Sequence, residues 1–309
     1  MLRAATGRGW LIFGSLACLS YAFWGFFDKL SANTSPYVVN TVLYGVAFTF
    51  SFPTLLTTWR APNIHALSAG LCNGIMNVVI LKTLETNMLL LTYPFISFGS
   101  VFFVLFDNLL EKPERKPGER AQTYRGVIIA SIGLAVSAIG LSGGFGQISI
   151  SDLNMEAVAM GLVISLLSGL WVLLTYRSVR SPGQTPGSAA FWILAASFVS
   201  SFSMLLPRLG SLPNQLAWNP PVYPMLAGLA MFFGEYSTCQ AFTGLRTTSR
   251  VKEIIVAFLA NGELLPLVFL SSFLLGEHSI EGYLGAVTIV VGLLILHSSE
   301  GSRSEDNQA

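Results

Sequence analysis

The sequence predicts an all-α polytopic membrane protein with ten transmembrane helices arranged as two inverted five-helix repeats. Three observations lead there. Of 309 residues, 52% are apolar and 11% charged, against about 25% charged in an ordinary soluble domain. The chain divides into apolar windows, each close to the roughly 20 residues that a spanning helix needs. The basic residues gather on one side of the resulting ladder of spans, as short cytoplasmic loops do. A net charge of +1 provides no basic surplus for gripping a nucleic-acid backbone, so no nucleic-acid partner is expected. The lipid bilayer is the expected surrounding.

Taken in order, Arg3 and Arg8 precede the first window, 10–28, whose apolar run to about Phe27 is too long for a signal-peptide core. Windows 37–56 and 64–84 follow on either side of Arg60, and the second of these holds Asn73 and Asn77. Window 87–110 contains Pro94 and ends in Leu109-Leu110-Glu111, and a loop with Lys112, Arg115, Lys116, Arg120 and Arg125 leads into 124–142. The second half continues with 154–176, closed by Arg177 and Arg180, then 188–207 and 221–243, the last carrying Glu235. Window 251–275 contains Glu263 and Pro266, and 279–297 completes the ten. Removing the polar third window would throw the five-charge loop onto the opposite face. With all ten in place, all but Lys29, Lys82 and Arg208 of the 17 basic residues share one side. Both termini are therefore expected in the cytoplasm, with residues 299–309 a disordered cytoplasmic tail. The orientation suits a plasma or inner membrane, or a eukaryotic organelle membrane.

The two halves, 1–146 and 147–298, repeat weakly. An offset of 147 carries Gly14 to Gly161, Leu19 to Leu166 and Trp24 to Trp171. An offset of 158 carries Ala69-Gly70-Leu71 to Ala227-Gly228-Leu229, and 159 carries Tyr124, Gly126 and Gly133-Leu134 to Tyr283, Gly285 and Gly292-Leu293. Because each repeat has an odd number of helices, the second enters the membrane inverted, the arrangement of carriers that alternate access around a midplane site.

Short motifs recur along the chain: Tyr21-Ala22-Phe23-Trp24-Gly25-Phe26-Phe27-Asp28-Lys29, Thr247-Thr248-Ser249-Arg250-Val251, Phe273-Leu274-Leu275-Gly276-Glu277, and the glycines Gly285 and Gly292. Together they resemble the drug/metabolite transporter superfamily, in particular its EamA-like members. Glu111-Lys112-Pro113 departs from the usual Gly-Glu, and Glu263-Leu264 from the Glu-Pro of many members. The resemblance implies a ten-helix secondary transporter with a central cavity. Its members carry amino acids, other small metabolites, drugs, nucleotide sugars or sugar phosphates, by proton coupling, facilitated movement or exchange. It implies no catalytic residues.

Ionisable groups inside a membrane helix are functional suspects, since insertion scales charge them about 2.5–3.5 kcal/mol at the helix centre. Glu235 and Glu263 are two such groups, and the 158 offset pairs Glu235 with Asn77. Either acid could couple a proton to substrate movement, or stay protonated as a helix-to-helix hydrogen-bond donor. Phe232, Phe233 and Tyr236 flank Glu235, a composition suited to an amine through cation–π attraction. Trp24 and Trp171 are expected as cavity walls or bulky fillers. Asn73 and Asn77 share a helix face, with Asn73 expected in packing and Asn77 in substrate lining. Tyr93 and Asn261 join the candidate substrate-binding set, with Tyr44 and Tyr176 behind them. Arg250 and Lys252 are a possible phosphate contact for a sugar-phosphate or nucleotide-sugar exchanger, or an interfacial snorkelling pair. Asp28 and Lys29 are expected as a surface ion pair, with a gate as the alternative. The spaced glycines, with the Gly70–Gly74 step, are expected in close helix packing, within a monomer or at a homodimer interface.

Cys18, Cys72 and Cys239 sit in apolar stretches without disulfide or zinc spacing, so no metal or cofactor is expected. His65, His278 and His297 form no hydrolase signature, which disfavours an intramembrane enzyme. A channel would need a filter segment or gating helix, and neither stands out. A secondary-active carrier of small organic metabolites is the expected function.

Overall fold

The computed structural model describes residues 9–111, 117–141, 155–214, 221–244 and 264–301. Among them the chain forms ten α-helices: α1 Gly9–Ser31, α2 Pro36–Thr58, α3 Ile64–Thr86, α4 Leu89–Glu111 and α5 Pro117–Leu141, then α6 Met155–Arg180, α7 Pro186–Leu205, α8 Val222–Gly244, α9 Leu264–Leu270 and α10 Ile280–Gly301. A 3-10 segment, Leu206–Asn214, prolongs α7, and a π turn, Ser271–Leu275, prolongs α9.

Local signals set the ends. Asn63 caps α3 by accepting the Ala66 N–H at 2.8 Å, and Thr185 caps α7 by accepting that of Ser188 at 3.2 Å, each meeting a donor that a helix start leaves over. Pro36 and Pro186 stand at the first turns of α2 and α7, where no N–H is needed. The π turn stops at Gly276 with φ +66°, a left-handed geometry glycine adopts without penalty.

α1–α4, α6 and α7 are long and apolar enough to cross a membrane. The side chains are distributed for lipid. Leu56, Leu109 and Phe273 stand 85%, 71% and 74% exposed, while Asp28, Asn40, Asn73, Asn77 and Glu235 are at 0%. Water would drive the opposite sorting, so the chain is a helical membrane protein. α8 falls outside the apolar six because it carries Glu235, Ser237, Thr238 and Gln240.

Packing shows an internal correspondence. α1 lies along α8 and α6 along α3; α2 lies along α8 and α7 along α3; α2 packs on α7 and α5 on α10. Moving each helix five places along the chain carries this set of neighbours onto itself. α1 and α3 end together, since Lys29 reaches the Leu84 and Asn87 carbonyls. α3 and α6 run opposite ways: Asn63 at the start of α3 donates to Ser178 Oγ near the end of α6 at 3.3 Å, and Thr83 near the end of α3 points to Met160 near the start of α6. α1 and α6 are therefore antiparallel.

The glycines sit where backbones touch. A Cβ on Gly133 would lie 2.8 Å from the Gly285 carbonyl and 2.7 Å from Ile289 N; one on Gly292 would lie 2.8 Å from the Gly126 carbonyl and against Ala130 N. The 159 offset turns the first contact into the second. Similarly, Gly70 meets Ala196 of α7, and its counterpart Gly228 meets Val46 of α2. These glycines are used inside the chain, as close-approach residues. Gly133→Leu should overpack the α5–α10 seam and cost about 1–3 kcal/mol. The expected readout is a lower melting temperature of the purified protein in detergent, and an unchanged one would show that the seam can open without loss.

Candidate functional site

Glu235 lies at the meeting of α1, α6 and α8. Gly234 before it leaves room for the Tyr21 ring, which would come within 2.5–3.0 Å of a Cβ there. Tyr21 donates its hydroxyl to Glu235 Oε2 at 3.3 Å, and Thr175 donates to Oε1 at 3.4 Å. Tyr21 also lies 3.2 Å from the Thr238 hydroxyl. The Trp171 indole approaches the same carboxyl without closing a hydrogen bond. Around it the rings pack edge to face, Trp171 at 5.4 Å and Trp24 at 6.0 Å from Tyr21, and Tyr93 at 6.2 Å from Trp24. Tyr93 fits because Gly25 has no side chain, since a Cβ there would collide with the phenol ring and its hydroxyl. The result is one carboxyl in an aromatic, water-poor setting, held by hydroxyls from both halves of the chain.

A second acid centre corrects the expectation for Asp28. It is 0% exposed, so it forms no surface ion pair. The Asn77 amide and Trp24 indole approach it, but neither carboxyl oxygen has a hydrogen-bond partner among the described residues, and nor does Asn77 Oδ1. Asn77 is oriented by Asn40, which accepts its N–H at 2.9 Å while donating to Gly74 O at 3.0 Å and Ser201 Oγ at 2.7 Å. Since Asn40 spends its amide hydrogens on those two acceptors, its oxygen must face Asn77. That turns the Asn77 nitrogen towards Asn40.

The two centres use the same three positions. The 147 offset carries Trp24 to Trp171 and Asp28 to Thr175, and the 158 offset carries Asn77 to Glu235. In one centre the acid sits on α1 and its polar neighbour on α3; in the other the acid sits on α8 and its neighbour on α6. Acid and partner have changed places between the halves.

Contacts between helices are found at both ends of this polar core. At one, Lys29 donates to Leu84 O at 3.1 Å and Asn87 O at 2.7 Å and lies 3.7 Å from Glu277 Oε1. Glu277 Oε2 in turn accepts the Leu90 N–H at 3.3 Å, one of the donors left over at the start of α4. This joins α1, the α3–α4 turn and the segment after α9. At the opposite end the counterpart of Lys29 is Tyr176, packed edge to face on Phe103 at 6.0 Å and Phe242 at 5.4 Å, with the Arg180 guanidinium 4.7 Å over its ring.

Asn73, expected in packing, accepts from Tyr44 at 2.9 Å and faces Met231. Other residues singled out in the sequence fall away from the Glu235 carboxyl. Tyr236 accepts from Gln240 at 2.8 Å and stacks on Phe232, while Phe233 is 54% exposed. The rings beside Glu235 are thus Tyr21 and Trp171, since neighbours along a helix point about 100° apart. Asn261, Glu263, Arg250 and Lys252 lie outside the described residues. Tyr21, Thr175, Thr238, Asn40 and the burial of Asp28 were not anticipated. For Asp28 and Thr175 a signal existed, since both lie one helical turn beyond the matched tryptophans. Among the described residues no three His, Cys, Asp or Glu side chains are grouped to hold a metal ion.

Comparison with known proteins gives a likeness of fold. No family model matches the chain, and no curated protein matches it. Among 28 matching chains of solved structures, one described only as "Crystal structure of protein" aligns with a TM-score of 0.61 at 14% identity, covering 95% of this chain and 98% of that one. The likeness of fold therefore spans nearly the full length of both chains.

Proposed function

We propose that this chain is a secondary-active transporter of small organic metabolites, amino acids, amines or related compounds, working by alternating access between two inverted five-helix repeats of the EamA-like kind. The observation that carries it is Glu235, a carboxyl buried between α1, α6 and α8 with hydroxyl donors from both halves. An intramembrane acid at the junction of two moving parts is suited to taking a proton on one side and releasing it on the other. Further support comes from the neighbour set that maps onto itself, the antiparallel course of α1 and α6, and the contacts between helices at each end. Glu263 is kept as a second candidate for proton coupling.

The test is reconstitution. Metabolites that change between cells with and without the protein supply candidate substrates, and each is offered to liposomes containing the purified chain. A carrier shows saturable uptake and counterflow, in which unlabelled substrate inside accelerates entry of label. Flux at channel rates without exchange would overturn the proposal. Hits confined to phosphorylated sugars would redirect it to an exchanger using Arg250 and Lys252.

A further inference from the structure

We propose that the end of the bundle carrying Lys82 and Arg208 holds one anionic phospholipid, with its phosphodiester against those two side chains and its acyl chains along the exposed face of α7. The site is apart from the Glu235 centre. It rests on the chain being a membrane protein and is independent of the transporter function.

Of the 17 basic residues, Lys29, Lys82 and Arg208 alone fall on one side of the ladder of spans. Lys29 is engaged by the Leu84 and Asn87 carbonyls and Glu277. The other two converge on a single ring: the Arg208 guanidinium lies 3.8 Å, and the Lys82 ammonium 5.5 Å, from the centre of Tyr37. Two like charges are thus held within about 10 Å of each other, roughly one Debye length. With Asn33, Ser35 and Glu85, these three residues line an open cleft of about 550 Å³, a size that suits a small polar group.

The charges in the cleft identify the group. Lys82 and Arg208 against Glu85 leave one net positive charge, the complement of a phosphodiester. Arginine offers a planar fork of donors that matches phosphate oxygens, and lysine a point charge beside it. Arg208 is steadied by its Nη1, which donates to Met204 O at 2.7 Å. The start of α2 also borders the cleft, and its Ser35 side chain makes no capping bond, so the positive end of the helix adds to the attraction.

The neighbouring surface identifies the rest of the ligand. Val199, Phe202, Leu206 and Leu209 are all exposed. Their spacing of three, four and three residues keeps them on one face through α7 and the 3-10 segment, and the stripe ends beside Arg208. Tyr37 stands in the first turn of α2 and Lys82 near the end of α3, two helices able to span, which sets the cleft at the headgroup level. A soluble phosphate would meet the cations and leave the stripe bare, whereas a phospholipid meets both.

The experiment titrates the full-length protein in detergent and counts bound lipid by native mass spectrometry. Palmitoyl-oleoyl phosphatidylglycerol is compared with the phosphatidylcholine of the same chains and with the chainless diester glycerophosphoglycerol. Wild type should retain one phosphatidylglycerol more than about twofold tighter than phosphatidylcholine, and an equal concentration of the chainless diester should not displace it. A smaller preference overturns the proposal. So does displacement by the diester, which would make this a site for soluble phosphates. Lys82→Gln and Arg208→Gln should each weaken binding about fivefold, and a fall below about twofold in either overturns the assignment. Arg60→Gln, at the opposite end, should bind as wild type does; an equal fall there would mean diffuse attraction and overturn the site. Glu85→Gln should bind at least as tightly as wild type, and weaker binding overturns the charge match. A measurement on wild type guards against misfolded variants. Phosphatidylglycerol carrying a diazirine in one chain, in nanodiscs, should label residues 199–209 on illumination, and adducts confined to other segments would overturn the proposal.

Discussion

Glu235→Gln is expected to reduce substrate-driven proton movement in proteoliposomes to background while the folded protein is retained. Glutamine keeps the shape, accepts from one of the Tyr21 and Thr175 hydroxyls through its oxygen and donates to the other through its amide, but it cannot release a proton. Counterflow, in which label exchanges without net proton transfer, should persist. That split between lost proton movement and surviving exchange separates a coupling role from a structural one, because a misfolded carrier loses both. Unchanged coupling would take Glu235 out of the mechanism and pass the role to Glu263. A more drastic exchange would be less informative, since Glu235→Ala opens a cavity beside Tyr21 and Trp171.

Lys29→Met is expected to open one end of the protein. The methionine keeps most of the apolar stem while removing hydrogen bonds to Leu84 O and Asn87 O and the pairing with Glu277. Hydrogen bonds to a charged group contribute about 1.5–3 kcal/mol each when well shielded. With the Lys29 side chain 24% exposed, screening reduces that. Even about 1.4 kcal/mol shifts the balance of closed and open forms tenfold. Ser31, buried at 3%, is the reporter: in a background lacking Cys18, Cys72 and Cys239, Ser31→Cys should react with an impermeant maleimide about tenfold faster once Lys29 is replaced. The exchange Lys29→Glu with Glu277→Lys should restore part of the protection. Equal labelling in all variants would mean that the bridge does not hold this end closed.

Much of the architecture was readable from charge and apolar pattern, because a bilayer constrains a sequence in one dimension. The windows around 10–28 and 64–84 correspond to α1 and α3 within a few residues. The pairings of Trp24 with Trp171 and of Asn77 with Glu235 identified four residues that the structure gathers into two related centres. What stayed hidden depended on helix rotation and on partners distant in sequence. Asp28 next to Lys29 reads as an ion pair, yet the two side chains leave the helix about 100° apart, one into the core and one to the α3–α4 turn. Tyr21 and Thr175 are ordinary residues for an apolar helix until α8 brings Glu235 between them. Asn40 gave no warning because its meaning lies in the orientation it forces on Asn77, a property of a network.

The contacts at the two ends differ in substance. One is a part-exposed ion pair with carbonyl contacts, the other a tyrosine set among two phenylalanines beneath the Arg180 guanidinium. Added salt screens the first more than the second, whereas cooling weakens the apolar packing of the second. In a carrier that works as proposed, opening one end or the other would break different contacts, so added salt and cooling would move the resting balance between the two forms in opposite directions.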